Sequence, residues 1–483
     1  MSTTTSPQTS LTPDALRGTV NRLKAANQAF MAATPGESSE RQPVHTVYGG
    51  AQLWKADTVV KMGATAVRAL TENAPNATTF AKAIGLSGAA GLPEELAAVQ
   101  AMEAQVRKDG TAAQAANLPA WLAVTIYDRV LEKLKREAVE DFRIDFEDGY
   151  GNRPDEEEDR QAGIAAQEVA RGLKEGTLPP FIGIRIKPFT EELRERSMRT
   201  LDIFVTTLVK ETGGQLPANF VITHPKLQVV EHVSCLVEVL ELLEANLGLT
   251  AGTLKIELMV ETPQSIFNDK GEMSLPILVK AGKGRITGAH FGTYDYTAGV
   301  NITALHQRMD HPACDFARHA MQVALAGSGV FLSDGATNVM PVAPHRGEGL
   351  TQDQLAENRA VVHRAWKLHY DHCQHSLINA YYQGWDLHPA QLSTRYAAVY
   401  AFFLEGLPAA TARLKNFIEK AAQATLVGDV FDDAATGQGL LNFFLRGINC
   451  GALTEEEALI TGLTLDELRG RSFVKILANR RGK

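Results

Sequence analysis

The sequence predicts an α/β protein built on a (β/α)8 TIM barrel, with a helical insertion after strand one and a helical C-terminal extension. Three observations lead there. Short runs rich in Val, Ile and Phe alternate with longer stretches of helical period, the pattern of a parallel sheet wrapped by helices. Eight such runs can be counted, the number that closes a barrel. Their C-terminal ends carry charged or imidazole groups one after another, as the functional face of such a barrel does.

In chain order, residues 1–40 are rich in Ser, Thr and Pro and are expected to form a loosely held arm followed by one helix. The barrel is expected over 41–391, with strands at 44–48, 142–146, 181–186, 220–223, 254–260, 285–291, 329–332 and 384–387. Its first connection is long: residues 51–141 hold at least three helices, one of them over 120–136. Further helices are predicted at 191–210 and 227–246, the second stopped by Asn246 and Gly248. Pro154 followed by Asp155 and three glutamates reads as a helix start whose acids are favoured by the helix dipole. Residues 392–483 read as the helical extension, and the run NFFLRGINCGAL supplies a buried face expected to pack over one barrel end. No short repeat is present, which excludes a solenoid or propeller.

The composition bounds the function. At 483 residues, 45% hydrophobic and 22% charged, the chain has globular proportions. Lys and Arg total 48 against 56 Asp and Glu, a net charge of -8, so neither a nucleic acid nor an anionic membrane is expected as the main partner. Four cysteines stand singly, which excludes a disulfide framework and a zinc ribbon and fits a reducing cytosol. The opening residues lack the apolar core of a signal peptide, and no run reaches the roughly 18 apolar residues that span a bilayer. A cytoplasmic protein acting on a small polar molecule is the expectation.

The strand ends carry the chemistry. Strand two runs into Asp145-Phe146-Glu147-Asp148-Gly149, and strand three contains Arg185 and Lys187. Strand four runs into His224-Pro225-Lys226, strand five into Glu261, and strand six into Thr293-Tyr294-Asp295. Strand seven ends in Ser333-Asp334-Gly335 and strand eight in Asp386-Leu387-His388. Alone, each of these residues is as readily a helix cap or a loop tie, and Asp145 is readily a structural group facing the barrel. Seven ends carrying such groups together indicate a site that binds a cation with carboxylates and an anion with Arg and Lys. Glu261 and Asp295, on adjacent strands, are oxygen donors suited to Mg2+ or Mn2+. Arg185 has the two-pronged guanidinium that grips a carboxylate. Arg185, Lys187, His224, Lys226, Thr293 and His388 are the candidates for substrate contacts. A divalent ion chelated by a 2-oxo acid stabilises an enolate, the charge that arises when a carbon-carbon bond beside a carbonyl forms or breaks.

The order of these motifs resembles the citrate lyase beta-subunit and HpcH/HpaI aldolase superfamily, relatives of malate synthase. The resemblance runs from about Val44 to Gln391. HTVYGG resembles the family's first strand, DFEDGYG its acidic second-strand motif, GIRIKP its arginine motif and HPK its fourth strand. MVETPQSI is similar to its glutamate strand, HFGTYDYTAGV to its metal-binding aspartate strand, and LSDG and GWDLHPAQL to its last two strands. The resemblance implies that Glu261 and Asp295 ligate the divalent ion, that Arg185 binds a substrate carboxylate, that Glu147 and Asp148 sit near the metal waters, and that the barrel forms a homo-oligomer. The chain departs from compact members in the loop over 268–272, in residues 341–382, in the helical insertion and in the C-terminal extension. The aldolase branch's histidine near strand two is absent here. By analogy with malate-synthase-like relatives, Asp432 or Asp433 is then a candidate acid or base, with helix capping as the other reading; His388 and His224 are alternatives at the mouth.

These readings lead to a metal-dependent carbon-carbon lyase or aldolase acting on a small 2-oxo or hydroxy acid. Its rivals are an enzyme using an acyl-CoA thioester and a barrel that binds an acidic metabolite without turnover. His369 and Cys373 share a helix face but lack the second pair a zinc site needs. Gly282-Lys283-Gly284 precedes a strand instead of following one, the wrong context for a dinucleotide turn. No Walker A loop, GxSxG elbow or HExxH motif occurs.

Overall fold

A computed structural model describes residues 9–36, 38, 40–419, 425–427, 430–432, 434–470 and 476. Eight strands follow the chain: β1 (His45–Gly50), β2 (Asp141–Asp145), β3 (Phe181–Arg185), β4 (Phe220–His224), β5 (Lys255–Val260), β6 (Ile286–Phe291), β7 (Phe331–Ala336) and β8 (Gln383–Asp386). Each pairs in parallel with the next, and β8 returns to β1, closing the barrel. Helices wrap it, with Ile144, Ile182, Ile184, Ile222 and Leu258 fully buried among the core residues.

The predicted strands are all present, and β7 differs most. It runs on to Ala336, so Asp334 lies inside the strand. Arg318 meets both oxygens of Asp334 at 3.1 Å, and the Ser376 hydroxyl donates to it at 2.6 Å. A buried ion pair lets a charged residue continue a strand that its polarity alone would end. The same holds for Asp386 in β8, held by Arg395 and His369 at 2.9 and 3.0 Å.

Five helices fill the first connection among the described residues: Thr58–Asn73, Ala77–Ile84, Leu96–Asp109, Thr111–Ala116 and Leu118–Glu137. The last begins at an Asn117 cap with Pro119 in its first turn and buries Trp121, Leu122, Ile126, Val130 and Leu134. Among the described residues after β8 come the helices Leu392–Glu419 and Ala434–Asn449 and the short Glu455–Leu459 and Leu465–Arg469, with an antiparallel ribbon of Thr425–Val427 and Val430–Asp432 between the long pair. Arg129 on the insertion donates to the Ala452 carbonyl at 2.8 Å and meets Glu457 at 2.5 Å, and Arg446 donates to Gln42 just before β1 at 3.1 Å. The Ala434–Asn449 helix therefore reaches the N-terminal end of the barrel. Helix Pro13–Ala33, capped by the Thr12 hydroxyl, buries none of its residues. No described helix is long and apolar enough to cross a membrane.

The interior of the barrel is ionic. β2 turns Asp141, Arg143 and Asp145 inward at every second position. Arg143 reaches across to β5, its Nη2 and Nε donating to Glu257 at 2.7 and 3.0 Å, and it also pairs with Asp141. His290 of β6 places Nε2 3.1 Å from Glu257. Barrels of this class more often fill this space with Val, Ile and Leu.

Candidate active site

The turn after β2 is organised by Asp145, whose carboxylate accepts the backbone N–H of Glu147 at 2.9 Å and of Gly149 at 2.7 Å. Position 149 must be glycine in this turn, because a Cβ there stands 2.6 Å from Asp145 Oδ2. Asp145 also takes the fork of Arg185, with Nε at 2.8 Å and Nη2 at 2.6 Å. The remaining nitrogen, Nη1, faces Glu147 at 3.1 Å and Asp148 at 3.7 Å. The guanidinium lies over Tyr48, 4.9 Å from the ring centre, and 5.5 Å from Trp385. Arg185 is thus fixed by a carboxylate and an aromatic floor, and the bidentate edge the sequence reading reserved for a ligand is occupied by Asp145.

Lys226, after β4, carries the left-handed φ of 50°. That conformation sends its backbone N–H to Glu261 Oε1 at 2.8 Å while its ammonium turns the other way. There it contacts Glu147, Asp148 at 3.3 Å and Asp295 at 3.5 Å. Glu261 is 2% exposed and backed by Gly292, where a Cβ stands 2.5 Å from Glu261 Oε2. Asp295 sits in the first turn of helix Thr293–Gly299 with its carboxylate 43% exposed. Glu147, Asp148, Glu261, Asp295, Arg185 and Lys226 therefore share one mouth.

Burial pushes Glu261 up to about 7, with Asp295 and Glu147 adding to the rise and Lys226 and Arg185 opposing it. Burial raises Glu147 to about 7 as well, against the pull of Arg185 and with the help of Asp148. The proton shared by that pair belongs to the buried Glu147, since Asp148 is 58% exposed. Five carboxylates, counting Asp145, stand against two cations. This excess acid fits a divalent ion. Glu261 and Asp295 would hold it, on oxygen donors of the kind Mg2+ and Mn2+ take. Among the described residues no three His, Cys, Asp or Glu side chains form a metal cluster by themselves, so water and ligand would complete the shell, the usual way Mg2+ is bound.

Four of the expected substrate contacts lie elsewhere. Lys187 is turned to the helix layer, donating to the Phe146 carbonyl at 2.5 Å and meeting Glu158 at 3.1 Å. His224 is fully buried, 4.5 Å from the Phe189 ring and 6.0 Å from His232, because β4 turns Thr223 inward and His224 outward. Burial pushes it down to about 3, with His232 adding, so it stays neutral. Thr293 is 1% exposed and packs its hydroxyl on Met309. His388 is a helix cap, its Nδ1 accepting from the Ala390 N–H at 3.1 Å. Asp432 ends the antiparallel ribbon; its side chain, like residue Asp433 altogether, lies outside the described residues. His369 and Cys373, set aside as a zinc site, are buried, with His369 bonded to Asp386 and Thr394.

Sequence reasoning missed Tyr48, Trp385, Arg143, Glu257 and His290. A signal existed. DFRID places charges at every second position and IELMVE places them four apart, both even spacings, so Arg143 and Glu257 share the inward face with Asp145 and Glu261.

A closed parallel barrel with helices around it and an acid-rich C-terminal mouth defines a TIM-barrel protein. The chain belongs to the family described as Domain of unknown function (DUF6986), whose model matches residues 23–476. Among solved structures it is similar to a citrate lyase from Burkholderia xenovorans LB400, at 19% identity over 70% of this chain and 92% of that one, with a TM-score of 0.49. It is also similar to protein CitE from Mycobacterium tuberculosis in complex with magnesium, acetoacetate and coenzyme A, at 14% identity over 67% and 95%, TM-score 0.41. A malate synthase from Haloferax volcanii in a lead(II) complex follows at 14% identity over 71% and 88%, TM-score 0.40. These are likenesses of backbone course. No curated protein matches the chain significantly.

Proposed function

We propose that the protein is a divalent-metal-dependent carbon-carbon lyase or aldolase acting on a small 2-oxo or hydroxy acid. The observation that supports this reading is the meeting, at one mouth, of a buried Glu261 raised to about 7 with Asp295, Glu147, Lys226 and Arg185. A Mg2+ or Mn2+ ion at Glu261 and Asp295 would supply a fixed positive charge opposite the oxygen on which negative charge grows as the bond beside a carbonyl breaks or forms. The remaining work falls to the chain. Lys226 contacts Glu147, Asp148 and Asp295 through one ammonium, and a substrate carboxylate can compete for it. Arg185 is gripped by Asp145 through two of its nitrogens, and its Nη1 offers one donor at the point where Glu147 approaches. Buried Glu147 and exposed Asp148 differ in their hold on a proton, so the pair can stay half-ionised while it orients water and the two cations.

Calorimetric titration with a panel of 2-oxo acids, aldehydes and acyl-CoA thioesters, with and without Mg2+, tests the proposal. A 2-oxo acid is expected to bind only with Mg2+, and Glu261→Gln to remove that dependence. Binding of CoA thioesters alone would select an acyl-CoA enzyme instead. Tight metal-independent binding without turnover would select a non-catalytic metabolite-binding barrel.

A further inference from the structure

Enolate chemistry needs a group that takes a proton from the substrate and returns it. The nitrogen bases near the mouth are turned away from it or already paired. His224 faces the helices, His388 caps one, Lys226 is surrounded by carboxylates, and the Arg185 fork is held by Asp145. Tyr48 differs. It stands on the inward face of β1, directly beneath the Arg185 guanidinium, with its ring 4.3 Å from Trp385. Its hydroxyl has no partner closer than 3.5 Å, the distance to both Met259 Sδ and His290 Nδ1. Behind it, His290 Nε2 lies 3.1 Å from Glu257, and Arg143 forks onto the same carboxylate.

The geometry points to Tyr48 as the catalytic proton carrier of this site, with His290 and Glu257 as the positioning pair behind it. The inference rests on the lyase reading above. The arrangement has the logic of a catalytic triad: a hydroxyl at the reacting end, an imidazole behind it, and a buried carboxylate that orients the imidazole and stabilises its charge. In the forward step the substrate C–H bond breaks, its electron pair stays on the substrate as the enolate, and the proton passes to Tyr48 Oη. The Tyr48 O–H bond breaks in the same event and its proton passes to His290 Nδ1. The imidazolium is held by Glu257. In the return step His290 gives the proton back to Tyr48, and the proton of Tyr48 goes to carbon, so no further reactant is needed. At 3.5 Å the Tyr48 hydroxyl and His290 Nδ1 stand at the long end of hydrogen-bond reach, a gap that a small tilt of either ring closes when substrate binds. Glu257 stays ionised: burial pushes it up, but the charges of Arg143 and His290 outweigh burial and hold it below the usual range. Glu257 also lines a cavity of about 880 Å3 at the N-terminal end of the barrel, which gives the pair a way to exchange protons with solvent from the side opposite the mouth.

The test is exchange of deuterium from D2O into the methyl group of pyruvate, and into the other 2-oxo acids of the panel, followed by proton NMR with Mg2+ present. Binding of the same acid is measured by calorimetry. Wild type is expected to exchange. Tyr48→Phe, which keeps the ring and loses only a weakly held hydroxyl, is expected to lose exchange by about 100-fold or more while binding stays within about twofold. His290→Asn is expected to lower the rate at unchanged affinity and to flatten the pH profile of exchange, which a purely structural role would not do. Tyr48→Phe exchanging at the wild-type rate would overturn the assignment. So would its losing affinity and exchange together, or Asp432→Asn abolishing exchange while Tyr48→Phe keeps it. A wild type that exchanges no 2-oxo acid would instead remove the lyase reading, and this assignment with it.

Discussion

Glu261 is a carboxylate kept almost dry among like charges, and that has a measurable cost. Its ordinary value is 4.5 and its folded value about 7, so the unfolded chain gives up this proton more readily than the folded one. The metal-free protein therefore loses stability from this group as pH rises from about 4.5 to about 7, by up to about 3 kcal/mol, and loses no more above that window. Glu261→Gln is expected to raise the unfolding temperature of metal-free protein at pH 8 and to leave it nearly unchanged near pH 4.5. Calorimetric scans at the two pH values check this, and an equal effect at both would show that the buried charge is not the cause. Saturating Mg2+ should stabilise wild type and not the variant. Glu261 and Asp295 were legible in the sequence as oxygen donors at two strand ends. The raised value was not, because it depends on burial and on neighbours from other strands.

At the scale of the element, the join between β6 and helix Thr293–Gly299 sets the distance between the two acids. Gly292 lies at that join, and a Cβ there would stand 2.5 Å from both Cβ and Oε2 of Glu261. Gly292→Ala is expected to push the glutamate aside and weaken Mg2+ binding by about 10-fold or more, the scale seen when the support of a ligand is lost. Gly163→Ala is the control. Its Cβ meets nothing within 4 Å on helix Asp155–Glu175, and it should keep Mg2+ affinity and gain slightly in stability. Elements were the most legible level. The helix predicted at 227–246 occupies Val230–Leu247 and stops at Gly248 with a φ of 68°, a stop that needs only local chemistry. β7 runs past the predicted 332 through Asp334 to Ala336, because pairing with Arg318 lets the buried carboxylate continue the strand.

At the scale of the molecule, Arg143 links two strands that do not touch. It binds Asp141 on its own strand and Glu257 on β5, across the closed barrel. Arg143→Leu leaves both carboxylates buried without their guanidinium, Glu257 with only His290 and the Thr223 hydroxyl and Asp141 with only the Thr46 hydroxyl, and is expected to destabilise the protein by about 3–5 kcal/mol in urea unfolding. A loss under about 1 kcal/mol would mean that water enters the barrel and screens them. The same chain of contacts leads from the N-terminal cavity through Glu257 and His290 to Tyr48 under the mouth, so the two ends of the barrel are joined by polar side chains.

By itself the sequence determined the number and order of the strands and the helical insertion, because periodicity and capping are local properties of the chain. Only the tertiary structure decided which strand-end groups meet. Lys226 reaches Glu147 across 79 positions, while Lys187, His224, Thr293 and His388 turn to the helix layer or to caps. Which groups share the mouth follows from the closure of the sheet and from where each buried charge finds its partner, and neither is a property of any one segment.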